Sequence, residues 1–90
     1  MSDVQIITAE TFATGTIYME LDSGNRRVYV SVYASGFVWV HSARIQDAGK
    51  LGLGKTHNGF SKALEAYKLP EVRRALIVAQ NHVAGLRKAA

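Results

Sequence analysis

The chain offers one stretch whose spacing matches a known chemistry. Gly49-Lys50-Leu51-Gly52-Leu53-Gly54-Lys55-Thr56 fits the pattern G-x-x-x-x-G-K-[ST]. In a nucleotide-binding loop of that pattern, backbone N–H groups cradle phosphates, the lysine reaches the outer phosphates and the hydroxyl holds magnesium. The surroundings oppose this reading. A buried parallel strand should precede the loop, whereas the run before it alternates like a half-exposed strand. The helix should open at the Lys-Thr pair, but His57-Asn58-Gly59 intervenes, and no apolar strand ends in a metal-binding Asp. The stretch therefore reads as a glycine-rich connector with two lysines, whose N–H groups suit at most a phosphate of nucleic acid.

The other reactive residue types are scattered. His41, His57 and His82 fall in different segments, none four residues from another or from a carboxylate, and there is no cysteine. That excludes a disulfide frame and a thiolate site and leaves no ligand spacing for a metal. His41-Ser42 and His57…Ser61 are the base-and-nucleophile neighbours. His41 and Ser42 would point to opposite faces of a strand, and neither pair has an orienting acid nearby. No catalytic, cofactor or metal site is expected. The remaining signal is aromatic: Tyr18, Tyr29, Tyr33, Phe37 and Trp39 crowd into one third of the chain.

Period-two patterning positions those aromatics. Ile17, Met19 and Leu21 alternate with Tyr18, Glu20 and Asp22; Val28, Val30 and Val32 with Tyr29, Ser31 and Tyr33; Val38 and Val40 with Phe37, Trp39 and His41. Turn residues at 22–25 and 34–36 separate the runs into an antiparallel meander over about 16–44. A two-residue Gly24-Asn25 turn pairs Leu21 with Val28, Met19 with Val30 and Ile17 with Val32. A three-residue Ala34-Ser35-Gly36 loop, with Gly36 left-handed, pairs Tyr33 with Phe37. One face is then aliphatic and the other aromatic. Val4–Thr8 is a candidate fourth, edge strand. Four glycines mark a Gly/Lys loop over about 46–59. A helix is expected over about 58–67, capped by Asn58, and a second over about 70–88. Pro70 and Glu71 suit the start of the second, and Val72, Ala75, Leu76, Ala79, Val83 and Leu86 form its apolar stripe. The expected fold is one α+β domain, residues 1–90, with a three- or four-stranded antiparallel sheet packed against two C-terminal helices.

Charge divides along the chain. Residues 1–43 hold two basic and four acidic side chains, and residues 44–90 hold nine and three. A basic C-terminal half suits an anionic partner. Nothing near the N-terminus resembles a secretory signal, and no apolar run approaches the ~20 residues that span a bilayer. A cytoplasmic protein without a membrane partner is expected.

Gly54-Lys55-Thr56-His57-Asn58-Gly59-Phe60-Ser61-Lys62-Ala63, behind a short meander and ahead of an Ala-rich helix, resembles small uncharacterised proteins encoded by phages and other mobile elements. Proteins of this size and origin include anti-CRISPR and other anti-defence inhibitors. That resemblance implies a binding protein of the host-cell cytoplasm that occludes a host protein or nucleoprotein complex. Gly52, Gly54, Lys55, Ser61 and Lys62 are also in similar order to the basic loop of double-stranded-RNA-binding domains. The residues themselves indicate a non-enzymatic module. Tyr29, Tyr33, Phe37 and Trp39 would anchor the partner, and Arg44, Lys50, Lys55, Arg73 and Arg74 would supply charge. Direct nucleic-acid binding, with bases stacked on the aromatic face and Arg27 on phosphate, uses the same surface, as does a homodimer formed through that face.

Overall fold

A computed structural model describes residues 4–48 and 52–89. Five strands follow one another in an antiparallel sheet of order β1-β2-β3-β4-β5: β1 Val4–Thr11, β2 Ile17–Ser23, β3 Arg26–Val32, β4 Val38–Arg44 and β5 Lys55–His57. A 3-10 turn, Ile45–Asp47, leaves β4, and helices α1 (Phe60–Ala66) and α2 (Pro70–Ala89) close the chain. The fold is α+β, with both helices packed on one face of the sheet.

The turns set the register. Leu21 faces Val28, Met19 faces Val30 and Ile17 faces Val32 across the tight Gly24-Asn25 turn. At the other hairpin the N–H of Tyr33 donates to the carbonyl of Phe37 at 2.9 Å, with Gly36 at a φ of 99°. All eight aliphatic residues of β2–β4 are thereby buried on one face: Ile17, Met19, Leu21, Val28, Val30, Val32, Val38 and Val40. Ala63 of α1 and Val72, Ala75, Leu76, Ala79 and Val83 of α2 complete the core. Ser23, fully buried, fastens α2 to the β2–β3 hairpin: its hydroxyl donates to the carbonyl of Glu71 at 2.5 Å.

The sheet has five strands rather than three or four. β1 pairs along the edge of β2, but its register shifts between Ile6 and Thr8. That bulge inserts a residue, so apolar side chains fall at consecutive positions and period two is lost from the sequence. β5 lies inside the glycine-rich segment and contains no aliphatic residue; it is held by backbone pairing to Val38–Val40. The α1 cap is Gly59, not Asn58. Gly59 has a φ of 104° and its carbonyl accepts from the Ala63 N–H at 3.1 Å, which places Asn58 outside the helix. The buried stripe of α2 stops at Val83, and Leu86 is exposed. A 20-residue helix is about 30 Å long, whereas the seven-residue strands beneath it extend about 23 Å. No described helix is long and apolar enough to cross a membrane.

Val30→Asp places a carboxylate in the centre of this core and should abolish the cooperative thermal transition. An unpaired buried charge costs several kcal/mol, comparable with the whole stability of so small a domain. Tyr29→Thr, one residue away on the other face, should retain the transition and the far-ultraviolet circular dichroism of the native chain.

Candidate functional site

The second face of the sheet carries no helix. Alternation places Tyr18, Glu20 and Asp22 of β2, Arg27, Tyr29 and Ser31 of β3, and Trp39 and His41 of β4 on it. Its middle is a row of half-buried rings. Tyr29 stacks on His41, centroids 5.7 Å apart and planes 25° apart, and Trp39, two residues along β4, stacks on His41 at 6.2 Å and 28°. Stacking across β3 and β4 and along β4 holds these rings in place.

The glycine-rich segment folds over this row. Trp39 Nε1 donates to the carbonyl of Leu53 at 3.1 Å. A Cβ on Gly54 would stand 2.5 Å from the indole, and one on Gly52 would stand 2.0 Å from the His41 ring. Gly54 also has a φ of 61°. The close approach of backbone to ring therefore requires glycine at both positions. Gly49, Lys50 and Leu51 lie outside the described residues.

One flank of the face is acidic. Arg27 is held by Asp22 through its Nε and lies 3.6 Å from Glu20. It is thus neutralised within the sheet, which removes the phosphate contact that its position suggests. Tyr18 is pushed up to about 12, first by burial and then by Glu20, Tyr29 and Glu10. Glu10 lies directly across from Tyr18. The Tyr18 hydroxyl therefore stays protonated and donates toward Glu20.

At the far end of the sheet the rings are open to solvent. Tyr33 and Phe37 are 37% and 45% exposed at the tip of the β3–β4 hairpin, and Phe12 is 47% exposed at the β1–β2 turn. A Cβ on Gly15 would lie 3.1 Å from the Ala34 Cβ, so the two tips adjoin. Leu53, on the loop above Trp39, is 97% exposed. Phe12 and Leu53 escape the sequence reading: one precedes a turn of small residues, the other sits among glycines, and neither belongs to a periodic run.

The basic residues do not join the aromatic ones. Lys55 shares the helix-covered side with Val40, its partner in register, and Arg44 shares it with Arg26. Arg74 is exposed on α2. Arg73 holds the joint between the helices, donating from Nη1 to the carbonyls of Leu64 and Tyr67. Among the described residues no three His, Asp or Glu side chains converge as metal ligands. No family model matches the chain, and neither the curated proteins nor the solved structures contain a match to it.

Gly54→Ala should drive the indole from under the loop. The chain has one tryptophan, so emission should shift to the red, with a loss of about 1–3 kcal/mol in stability by denaturant titration. The Tyr18 environment predicts an alkaline loss of stability. A phenol whose folded pKa exceeds its unfolded value contributes fully below pH 10 and loses that contribution as pH rises towards about 12. Tyr18→Phe should flatten the fall in melting temperature over that window.

Proposed function

We propose that the chain is a non-enzymatic binding protein that occludes the surface of a protein partner through the open face of its sheet. Such action is in keeping with the inhibitors encoded by phages and mobile elements that the sequence resembles. The observation that carries this reading is the exposure of Tyr33 and Phe37 at the hairpin tip, of Phe12 at the adjoining turn and of Leu53 on the loop over Trp39, together with the stacked Tyr29–His41–Trp39 row on a sheet face without helices. Aromatic anchors around an immobilised centre are what interface hot spots are made of. Charge selects the class of partner. Glu10, Glu20 and Asp22 outnumber Arg27 on this face, so a phosphate backbone is repelled there and a protein surface with basic side chains is complemented. Arg44, Lys55 and Arg74, set away from the face, act on encounter rate rather than contact. Direct nucleic-acid binding draws its support from the other side, where Arg26 and Arg44 stand opposite each other in register.

Capture of partners from host lysate, with and without nuclease, tests the reading. Partners that survive nuclease should be lost with Tyr33→Ala/Phe37→Ala while circular dichroism stays native. Each anchor should cost about 2 kcal/mol, roughly thirtyfold in Kd. Sedimentation of the isolated chain should show a monomer; a dimer dispersed by the same double substitution would instead assign the face to a second copy. Oligonucleotide binding that falls steeply with salt and needs Trp39 would overturn the protein-binding reading.

A further inference from the structure

On the helix-covered side, beyond the end of α1, lies a pocket of about 340 Å³ between β4, β5 and the α1–α2 joint. It has the size of a small-molecule site. Arg26, Ser42, Lys55, His57 and Tyr67 line it with Val40, while His41 and Gly54 border it, and no carboxylate among the described residues does so. Arg26 donates through Nε to Ser42 Oγ at 2.8 Å, which fixes the plane of the guanidinium. Neither Arg26 nor Lys55 forms an ion pair among the described residues, and Arg26 lies opposite Arg44 across the strands. Like charges directly opposed destabilise a sheet unless something compensates. The Tyr67 hydroxyl reaches the Val40 carbonyl at 3.5 Å, a long contact that leaves the group able to turn to another acceptor. His57 stands edge-on to the Tyr67 ring at 5.6 Å. Its Nε2 is the buried side-chain nitrogen without a hydrogen-bond partner among the described residues. Arg73 further favours an anion here, because it occupies the carbonyls of Leu64 and Tyr67, where the negative end of α1 would oppose one.

We propose that this pocket binds a phosphate monoester of a small organic molecule, the phosphate between Arg26 and Lys55 and the organic group against Tyr67 and His57. A planar, preoriented guanidinium beside a mobile ammonium suits a tetrahedral oxyanion. The remaining volume and the two rings accommodate a group of about the size of a nucleoside. The pocket borders the open-face site at His41 and Gly54, but the variants that test it, at Arg26 and Lys55, differ from those that test the open face, at Tyr33 and Phe37, so the two readings can fail separately.

Calorimetry and amide chemical shifts in magnesium-free buffer provide the test, with inorganic phosphate and adenosine monophosphate as probes. The nucleotide should bind saturably and shift Ser42, Lys55 and Tyr67, and inorganic phosphate should displace it. Arg26→Gln and Lys55→Gln should each weaken binding about tenfold, whereas Lys68→Gln should leave it unchanged. The Lys55 side chain is exposed and forms no ion pair among the described residues, so its variant reports on binding even if Arg26→Gln folds poorly. A terminally phosphorylated oligonucleotide that outcompetes the mononucleotide and needs the same residues would place the phosphate on nucleic acid; preference for the mononucleotide places it on a free metabolite. Absence of saturable binding, or affinity retained in Arg26→Gln/Lys55→Gln, would overturn the proposal.

Discussion

Two turns hold this structure to a single solution. Because side chains alternate along a strand, a slip of one residue at Gly24-Asn25 or at Ala34–Gly36 would send a whole run of aliphatic groups to the wrong side. With both turns in register, eight branched or flexible aliphatic side chains meet on one surface, and everything else follows from that surface. The helices have one place to bury their stripes. Ser23 lies where it can hold the first turn of α2, and Arg73 lies where it can tie α1 to α2. The opposite surface, freed from packing the core, carries rings, carboxylates and an imidazole in ordered positions.

Legibility from sequence tracks the kind of force involved. The pairing of Met19 with Val30 could be read beforehand because burial imposes period two and turn chemistry imposes phase. β5 could not, since Lys55-Thr56-His57 is held by main-chain pairing, which leaves no mark on side-chain type. β1 was partly visible, as its bulge at Ile7 disrupts the alternation that would reveal it. The loop over Trp39 left a legible trace that suggested a different meaning. Gly52 and Gly54 are two apart, so in extended chain they turn the same side toward whatever lies beneath. That arrangement suits the approach of backbone to flat rings, while the sequence alone reads the stretch as a glycine-rich connector.

The candidate sites show a separation that composition conceals. A net charge of +4 suggests one basic protein with one basic surface. In three dimensions the sheet acts as a partition, with acid and aromatic groups on the open side and, on the side of the helices, Arg26 and Lys55, which form no ion pair among the described residues. Residues a few positions apart, Trp39 and Ser42 among them, therefore belong to different environments. Clustering basic and aromatic residues by sequence proximity merges two surfaces that meet only at residues such as His41 and Gly54.

The sheet also ends differently at its two borders. β5 is three residues long, and α1 packs beside it, so little main chain remains there for another strand to grip. β1 is eight residues long, with Ile6 and Ile7 well exposed. Such a border is the natural place for an extra strand to add, the first step towards ordered aggregates. The bulge at Ile7 interrupts it. An incoming strand that paired with one half of β1 would be out of step with the other, so growth of a continuous ladder would stall at that residue. The irregularity that blurs β1 in the sequence thus also interrupts the longer of the two exposed borders of the sheet.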